Sequence, residues 1–491
     1  MKIKLFYLVV LSTMFFYSQT QIGADIDGEA LGDRSGSSVS LSSDGTMVAI
    51  GAPFNDDNGN TSGHARVYEN INNVWTQIGQ DIDGEAPDDI SGASVSLSSD
   101  GSILAIGAYY NDGNGSSSGH VRIYQNVSAV WTQIGADING EATNDSSGCS
   151  VSLSSDGNIV AIGARGNSDN GTDSGHVRVY QNISGVWTQI GADIDGEASG
   201  DRSGESVSLS RDGSILAIGA HRNDGNGSNS GHVRVYQNIS GVWTQIGQDI
   251  NGEAEYDDSG CSVSLSADGS IVAIGAENNS GSGDYSGHVR VYQNISGVWT
   301  QIGQDIDGEA ANDYSGSSVS LSSDGSIVAI GAAYNSGNGS NSGHVRVYQN
   351  ISGVWTQIGT DIDSEAENDF SGSCVSLSSD GVTLAIGATG NDGVNGIDSG
   401  HVRVYDLSVA LSTKSFKFDY FTMYPNPVKD VLNINLNKGL ELKQINIYNI
   451  QGQYLYSVKT SKLNVSALSL GIYFIEIETN EGKGVKSFIK K

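Results

Sequence analysis

Lysine is missing from the whole stretch between Lys4 and Lys414. Across residues 19–411 the only basic side chains besides histidine are 12 Arg, set against 50 Asp plus Glu, a net charge of −38. A field of that sign repels polyphosphates and anionic lipid headgroups, so nucleic acid and acidic membrane surfaces are excluded as partners of this region. Proline is almost absent, 4 residues in 491, which excludes a Pro-rich linker protein. Cysteine is nearly so: Cys149, Cys261 and Cys374 are all there are. The first two occupy the same place in a repeat two units apart, too far for disulfide geometry, and the expectation is three small buried fillers with stability coming from packing. The longest apolar run, Leu5 to Phe16, is too short to span a bilayer, so no transmembrane segment is expected.

Glycine is abundant at 66 residues, as a chain with many tight turns requires. Lys2 and Lys4 followed by the short apolar run read as a secretory signal over residues 1–18, cleaved between Ser18 and Gln19. The acidic stretch ends abruptly. From 412 to 491 there are 11 Lys against 6 acids, a net charge of +5, which marks a second domain. The acidic region would attract calcium or simply remain soluble in salty surroundings.

Trp75, Trp131, Trp187, Trp243, Trp299 and Trp355 stand 56 residues apart. His64, His120, His176, His232, His288, His344 and His401 repeat in the same way, with one residue inserted in the last unit. The text SGHVRVYQNISGVWTQIG occurs unchanged at 174–191, 230–247, 286–303 and 342–359. Seven tandem units follow. In the fourth, Glu205–Ser210, Ile215–Ala220, His232–Gln237 and Val242–Gly247 have the two-residue alternation of strands, and Asp212-Gly213 is a hairpin signal. Four strands per unit, seven units and no helical period predict an all-β fold, a seven-bladed propeller over residues 19–408. Residues 20–27 match the Trp-bearing strand but precede the first unit, whereas the seventh unit stops at His401–Asp406 without one. The N-terminal strand is therefore expected to complete the last blade and close the ring.

The texts SGESVSLSRDG, SILAIGA and GHVRVY of the fourth unit resemble the FG-GAP repeats of integrin-α-like propellers, with Ser203 where an aromatic is usual. SLSSDGSILAIGA is also similar to a WD40 inner hairpin, but the Trp-Asp signature is missing from the outer strand. Integrin-type repeats hold calcium in an Asp-rich loop between the first two strands; here that loop is only Ser-Asp-Gly. Beyond a linker at 409–417, residues 418–491 resemble the sorting domain of the type IX secretion system, through YPNPVKDVLNI (424–434), INIYNIQGQYL (445–455), GIYFIEI (471–477) and the ending KSFIKK. That resemblance implies the type IX secretion machinery as a partner, and a protein released or held at the outer cell surface. The strand–turn alternation of the tail predicts a small Ig-like β-sandwich.

Each unit contains Asp-x-(Asp/Asn)-(Gly/Ser)-Glu, for example Asp193, Asp195, Gly196 and Glu197, with Asp201 four residues on. Oxygen ligands at alternate positions around a glycine suit calcium, and the same aspartates suit turns by bonding their own backbone. No other cofactor is expected. The repeated His, Arg and Tyr of the third strand, such as His232, Arg234 and Tyr236, read as an inter-blade network with the repeated Glu.

Units differ chiefly in two loops. One carries Arg34, Ile90, Ser146, Arg202, Asp258, Tyr314 and Phe370; the other carries pairs such as Tyr109-Tyr110, His221-Arg222 and Glu277-Asn278. Alternating strand directions put both loops on one face. Tyr109, Tyr110, Arg202, His221, Arg222 and Tyr314 are the leading candidate ligand contacts, because aromatic and Arg side chains anchor interfaces. No catalytic motif is present. The expectation is a non-enzymatic binding or adhesion module for an extracellular protein or glycan, the alternative a secreted carboxylate-dependent hydrolase or lyase.

Overall fold

The 56-residue period is a period of sheets. In the computed structural model, which describes residues 19–411, 421–436, 440–449, 453–479 and 482–491, each unit builds one antiparallel sheet. The expected signal, 1–18, lies outside the described residues, as does 412–417 of the expected linker. Two compact units are present, one ending at Leu411, the other beginning after it.

The fourth sheet is typical. Ser206–Leu209, Ile215–Ala220 and His232–Ile239 pair in sequence order, and Val242–Gln245 adds the outer strand. The outer strand then leaves the ladder and rejoins it as Ile250–Asn251, opposite Val233 and His232. The break has a local cause. Gln245 donates to the Asp249 carboxylate across it, and Gly247 takes φ +77°, a left-handed value suited to glycine. A Cβ there would meet the Gly297 carbonyl at 2.7 Å, because the next sheet docks on this bulge: the Trp299 indole donates to the Ile246 carbonyl at 2.8 Å. Trp75, Trp131, Trp187, Trp243 and Trp355 make the equivalent bond to the preceding outer strand. The periodic tryptophan is thus a clamp between sheets.

The Ser-x-Ser alternation of the first strand has a similar explanation. Ser208 Oγ accepts from the Leu265 amide of the following sheet at 3.0 Å, and the bond recurs from Leu97 to Ser40, Leu153 to Ser96, Leu209 to Ser152, Leu321 to Ser264 and Leu377 to Ser320. It also joins the last sheet to the first, Leu41 to Ser376 at 3.0 Å. Between the sheets lie the apolar residues of the second strand; Leu216 and Ile218 are at most 1 % exposed and pack on Val177, Val179 and Tyr236. Truncating Leu216 to Ala would cost about 2–5 kcal/mol.

Seven such sheets are present among the described residues, in a propeller-like all-β arrangement. The seventh consists of Ser371–Leu377, Thr383–Ala388 and His401–Asp406 with two N-terminal segments, Thr20–Gln21 opposite Asp406 and Tyr405, and Ile26–Asp27 opposite Val402 and His401. The short helix Ser408–Leu411 follows, and Leu411 packs against the core of this sheet.

The second unit is a sandwich of two sheets. Phe421–Tyr424, Val431–Leu436 and Lys462–Asn464 form one; Tyr454–Val458, Leu442–Tyr448, Gly471–Thr479 and Gly482–Lys490 form the other. Phe421, Leu432, Ile445, Ile475 and Phe488 share one buried core. The Lys486 ammonium ties the sheets by donating to the Phe421 carbonyl at 2.7 Å.

Candidate functional site

The two variable loops are joined by hydrogen bonds into one surface. Gly175 bridges Ser203 in parallel, and the Arg202 amide donates to Asp173. The same contact holds Tyr314 to Tyr285 and Phe370 to Asn341. At this position every unit adopts the left-handed conformation: φ is +52° at Arg34, +57° at Ile90, +55° at Arg202, +53° at Tyr314 and +54° at Phe370. A Cβ there costs on the order of 1 kcal/mol that glycine would avoid. Bulky side chains are nonetheless mounted on it, each fixed by the loop beside it.

These side chains connect from sheet to sheet. Tyr109 and Tyr110 form an edge-on pair with centroids 4.6 Å apart, and Tyr110 is exposed. The Arg165 guanidinium of the next sheet lies 5.2 Å above Tyr109 and pairs with Glu205 at 2.7 Å. Glu205 in turn faces His221, Oε2 to Nδ1, at 3.8 Å. Beyond them Asn278 donates to Asp258 at 2.6 Å. An aromatic arc follows: Tyr285 stacks on Tyr314 at 5.7 Å, Tyr314 meets Tyr334 at 5.0 Å, and Tyr334 meets Phe370 at 5.3 Å. Tyr285 and Tyr334 are exposed. Arg34 lies 5.1 Å above Phe54. A cavity of about 530 Å³ opens beside the arc, lined by Arg34, Glu277, Ser317, Tyr334, Phe370 and Ser373.

The electrostatics are unusual for so acidic a chain. Burial, with Asp258 and Glu205 adding their like charges, raises Glu277 to about 7. Burial raises Asp258 to about 6 despite the opposing pull of Arg222 and the Asn278 hydrogen bond. His221 is pushed down to about 4 by burial; Glu205 works against this, while Arg222, Arg202 and Arg165 reinforce it. The histidine is therefore neutral at pH 7.

Of the six expected contacts, Tyr109, Tyr110, Arg202, Arg222 and Tyr314 stand on this face with side chains exposed or half-buried. His221 is only 8 % exposed and lies beneath it, against Glu205. Sequence reasoning passed over Glu205, although it is the one charged residue at a repeat position otherwise filled by Ser37, Ala93, Cys149, Cys261, Ser317 and Ser373. Cys149 and Cys261 occupy the same place in the series, and all three cysteines are free, half-buried residues. Burial raises the Cys149 thiol to about 11, which keeps it protonated.

The four expected calcium ligands are dispersed. Asp201 is buried and accepts from the Ala198 amide and Asn223, a turn-forming role. Asp193 accepts from Gln189 and joins Glu141, Asp169 and His176. Glu197 instead joins His232 and Asp249 and pairs with Arg234 at 3.7 Å. Asp195 is exposed opposite His176. One loop supplies two different groups because its strand lies between two sheets.

The repeated Arg is structural. Arg234 donates to the Asp195 carbonyl at 2.7 Å and stacks over Tyr236, and the contact recurs at Arg66, Arg122, Arg178, Arg290, Arg346 and Arg403.

No curated protein matches the sequence. Solved structures that resemble it include a putative 6-phosphogluconolactonase from Bacteroides uniformis, 12 % identical over 67 % of this chain and 85 % of that one, TM-score 0.49. A periplasmic gluconolactonase of Pseudomonas aeruginosa, PpgL, is 16 % identical over the same shares, TM-score 0.47. Saccharomyces cerevisiae Sqt1 is 12 % identical over 96 % of this chain and 99 % of its own, TM-score 0.43. These likenesses bear on neither activity nor ligand. No helix among the described residues is long and apolar enough to cross a membrane. The FG-GAP repeat model matches residues 18–68, 139–180, 193–236 and 306–348, and that of the secretion system C-terminal sorting domain matches 422–491. The chain thus carries FG-GAP repeats in its body and a terminal sorting domain that directs it through type IX secretion to the cell surface or beyond.

Proposed function

We propose that residues 19–411 form a closed seven-bladed propeller that binds an extracellular protein or glycan on its variable-loop face, without catalysis. Residues 1–18 direct export from the cytoplasm, and the sorting domain completes delivery. Closure is supported by the N-terminal segments paired with His401–Asp406 and by the Leu41–Ser376 bond.

The observation that carries the reading is the aromatic arc Tyr285–Tyr314–Tyr334–Phe370 beside a cavity of about 530 Å³. Exposed rings held in place by their own backbone offer large contact area at small entropic cost. The acidic groups at the cavity add directed hydrogen bonds. A second reading rests on Glu277 and Asp258, whose raised values suit a proton donor in a hydrolase or lyase.

Glycan arrays and bacterial-surface pull-downs with residues 19–411 test the proposal. A captured partner recovered unchanged, and lost with Tyr314→Ser plus Tyr334→Ser, supports a binding module. Cleavage of a captured glycan, abolished by Glu277→Gln, would establish the enzyme instead. Binding that maps to the Asp-Gly and Asn-Ile-Ser-Gly turns of the opposite face would overturn the assignment.

A further inference from the structure

We infer that two clusters at the starts of third strands hold a divalent first-row transition-metal ion, one among Glu29, Asp57, His64 and Asp81, the other among Glu141, Asp169, His176 and Asp193. In each group one ligand atom from every residue lies within 4.8 Å of the others.

The histidine supplies the decisive observation. His64 and His176 are 0 % exposed, and neither ring nitrogen of either has a hydrogen-bond partner. Nδ1 of His64 points at Glu29 Oε2 from 3.9 Å, too far for a hydrogen bond. A buried polar group without a partner is costly, and this one is aimed into three carboxylates. Two donors that share one ion, each about 2.0–2.2 Å from it, stand roughly 3–4 Å apart.

Charge leads to the same result. Around His64 three carboxylates face a single guanidinium, that of Arg66, so the group is left two negative charges in excess, which a dication neutralises. The carboxylates are also oriented from behind. Arg66 holds Glu29 Oε1 at 3.4 Å, Gln77 donates to Asp81 Oδ1, and Asn55 lies 3.4 Å from Asp57 Oδ2. Around His176 the same three supports recur: Arg178 on Glu141 at 3.4 Å, Gln189 on Asp193 at 2.6 Å, and Asn167 on Asp169 at 3.4 Å. Such outer contacts fix metal ligands in orientation.

The sister sheets show which residue matters. Where the first and third units have Asp57 and Asp169, the second and fourth have Gly113 and Gly225, and their groups shrink to Glu85–His120–Asp137 and Glu197–His232–Asp249. Of these four groups, the two complete ones offer one nitrogen and three oxygens. An imidazole with carboxylates selects zinc or a neighbouring ion over calcium, which prefers six to eight oxygens. This inference is independent of any ligand on the variable face.

The test uses the full-length exported protein, stripped with chelator, equilibrated with zinc and passed through a desalting column before metal analysis. Wild type is expected to retain about two zinc ions per chain and to melt higher than the stripped protein. Asp57→Gly and Asp169→Gly, which copy residues native to sister units and so preserve the fold, should each retain about one, and the double variant none. Zinc retained equally by the double variant, or calcium retained in place of zinc, would overturn the assignment.

Discussion

Gln19 stands in the seventh sheet where the other six carry tryptophan, and its side-chain amide donates to the Ile358 carbonyl at 3.3 Å, as the Trp299 indole donates to Ile246. A further bond from the same amide reaches Thr360 at 2.8 Å. The first residue after the expected signal cleavage therefore serves as the clamp on the sixth sheet. Deleting 19–27 removes this clamp and uncovers the edge of His401–Asp406, and the melting temperature is expected to fall by at least roughly 10 °C. Gln19→Ala should cost about 1–2 kcal/mol, the worth of the two lost hydrogen bonds. Calorimetry on 19–411 and 28–411 checks both. A deletion that melts with the parent would mean that the N-terminal segment contributes nothing to the body.

What could be read from the sequence follows from what duplication preserves. Ser208 and Arg234 recur because each makes the same bond at every junction, and Trp243 because it does so at six of the seven, so the repeat pattern carries the strands, the junctions and the pairing partner of 20–27. Where one residue serves two neighbours, the linear order misleads. Asp193 and Glu197 are four residues apart yet turn to different histidines, because the outer strand between them lies on the boundary of two sheets. The break at Ile246–Asp249 was hidden for a similar reason: Gly247 yields to a tryptophan 52 residues away. His221 belongs to a variable loop and is expected at the surface with it. It is buried because Glu205, equally unique at its own position, lies against it.

Glu277 makes stability fall as pH rises from about 4.5 to about 7. Its value in the folded chain, about 7, lies above its ordinary 4.5, so folding favours the protonated form. That contribution is complete below about pH 4.5 and is lost as pH rises through 7. Glu277→Gln should leave the melting temperature at pH 4 unchanged and raise it by roughly 2 °C at pH 8. Thermal scans at the two values decide. Equal shifts at both would place the cause in packing rather than charge.

The sorting domain has its own core around Phe421, Leu432, Ile475 and Phe488. Truncation after Leu411 is therefore expected to leave the melting transition of the body in place while cell-surface and culture-medium levels fall to background. Fractionation with an antibody to the body measures this. Surface display of the truncated chain at the level of the full one would refute a sorting role for 422–491.

Tyr314 separates the demands of the scaffold from those of binding. At φ +53° its backbone would be more comfortable as glycine, by up to about 1 kcal/mol, while its ring touches both Tyr285 and Tyr334. A residue kept only for folding would lose stability on removal. Tyr314→Gly should instead melt within about 2 °C of wild type, the relieved strain offsetting the lost ring contacts. Its affinity for whatever the variable face holds should fall at least roughly 30-fold, the effect of a central aromatic contact. Tyr109→Ser with Tyr110→Ser, and Arg222→Ser alone, should likewise weaken binding with little effect on melting. His221→Ser is expected to behave differently, because removing a buried ring leaves a cavity against Glu205, so the melting temperature should drop. The measurement is paired calorimetry and binding on the same samples. If Tyr314→Gly binds as wild type does, the aromatic arc is packing and the contact surface lies elsewhere.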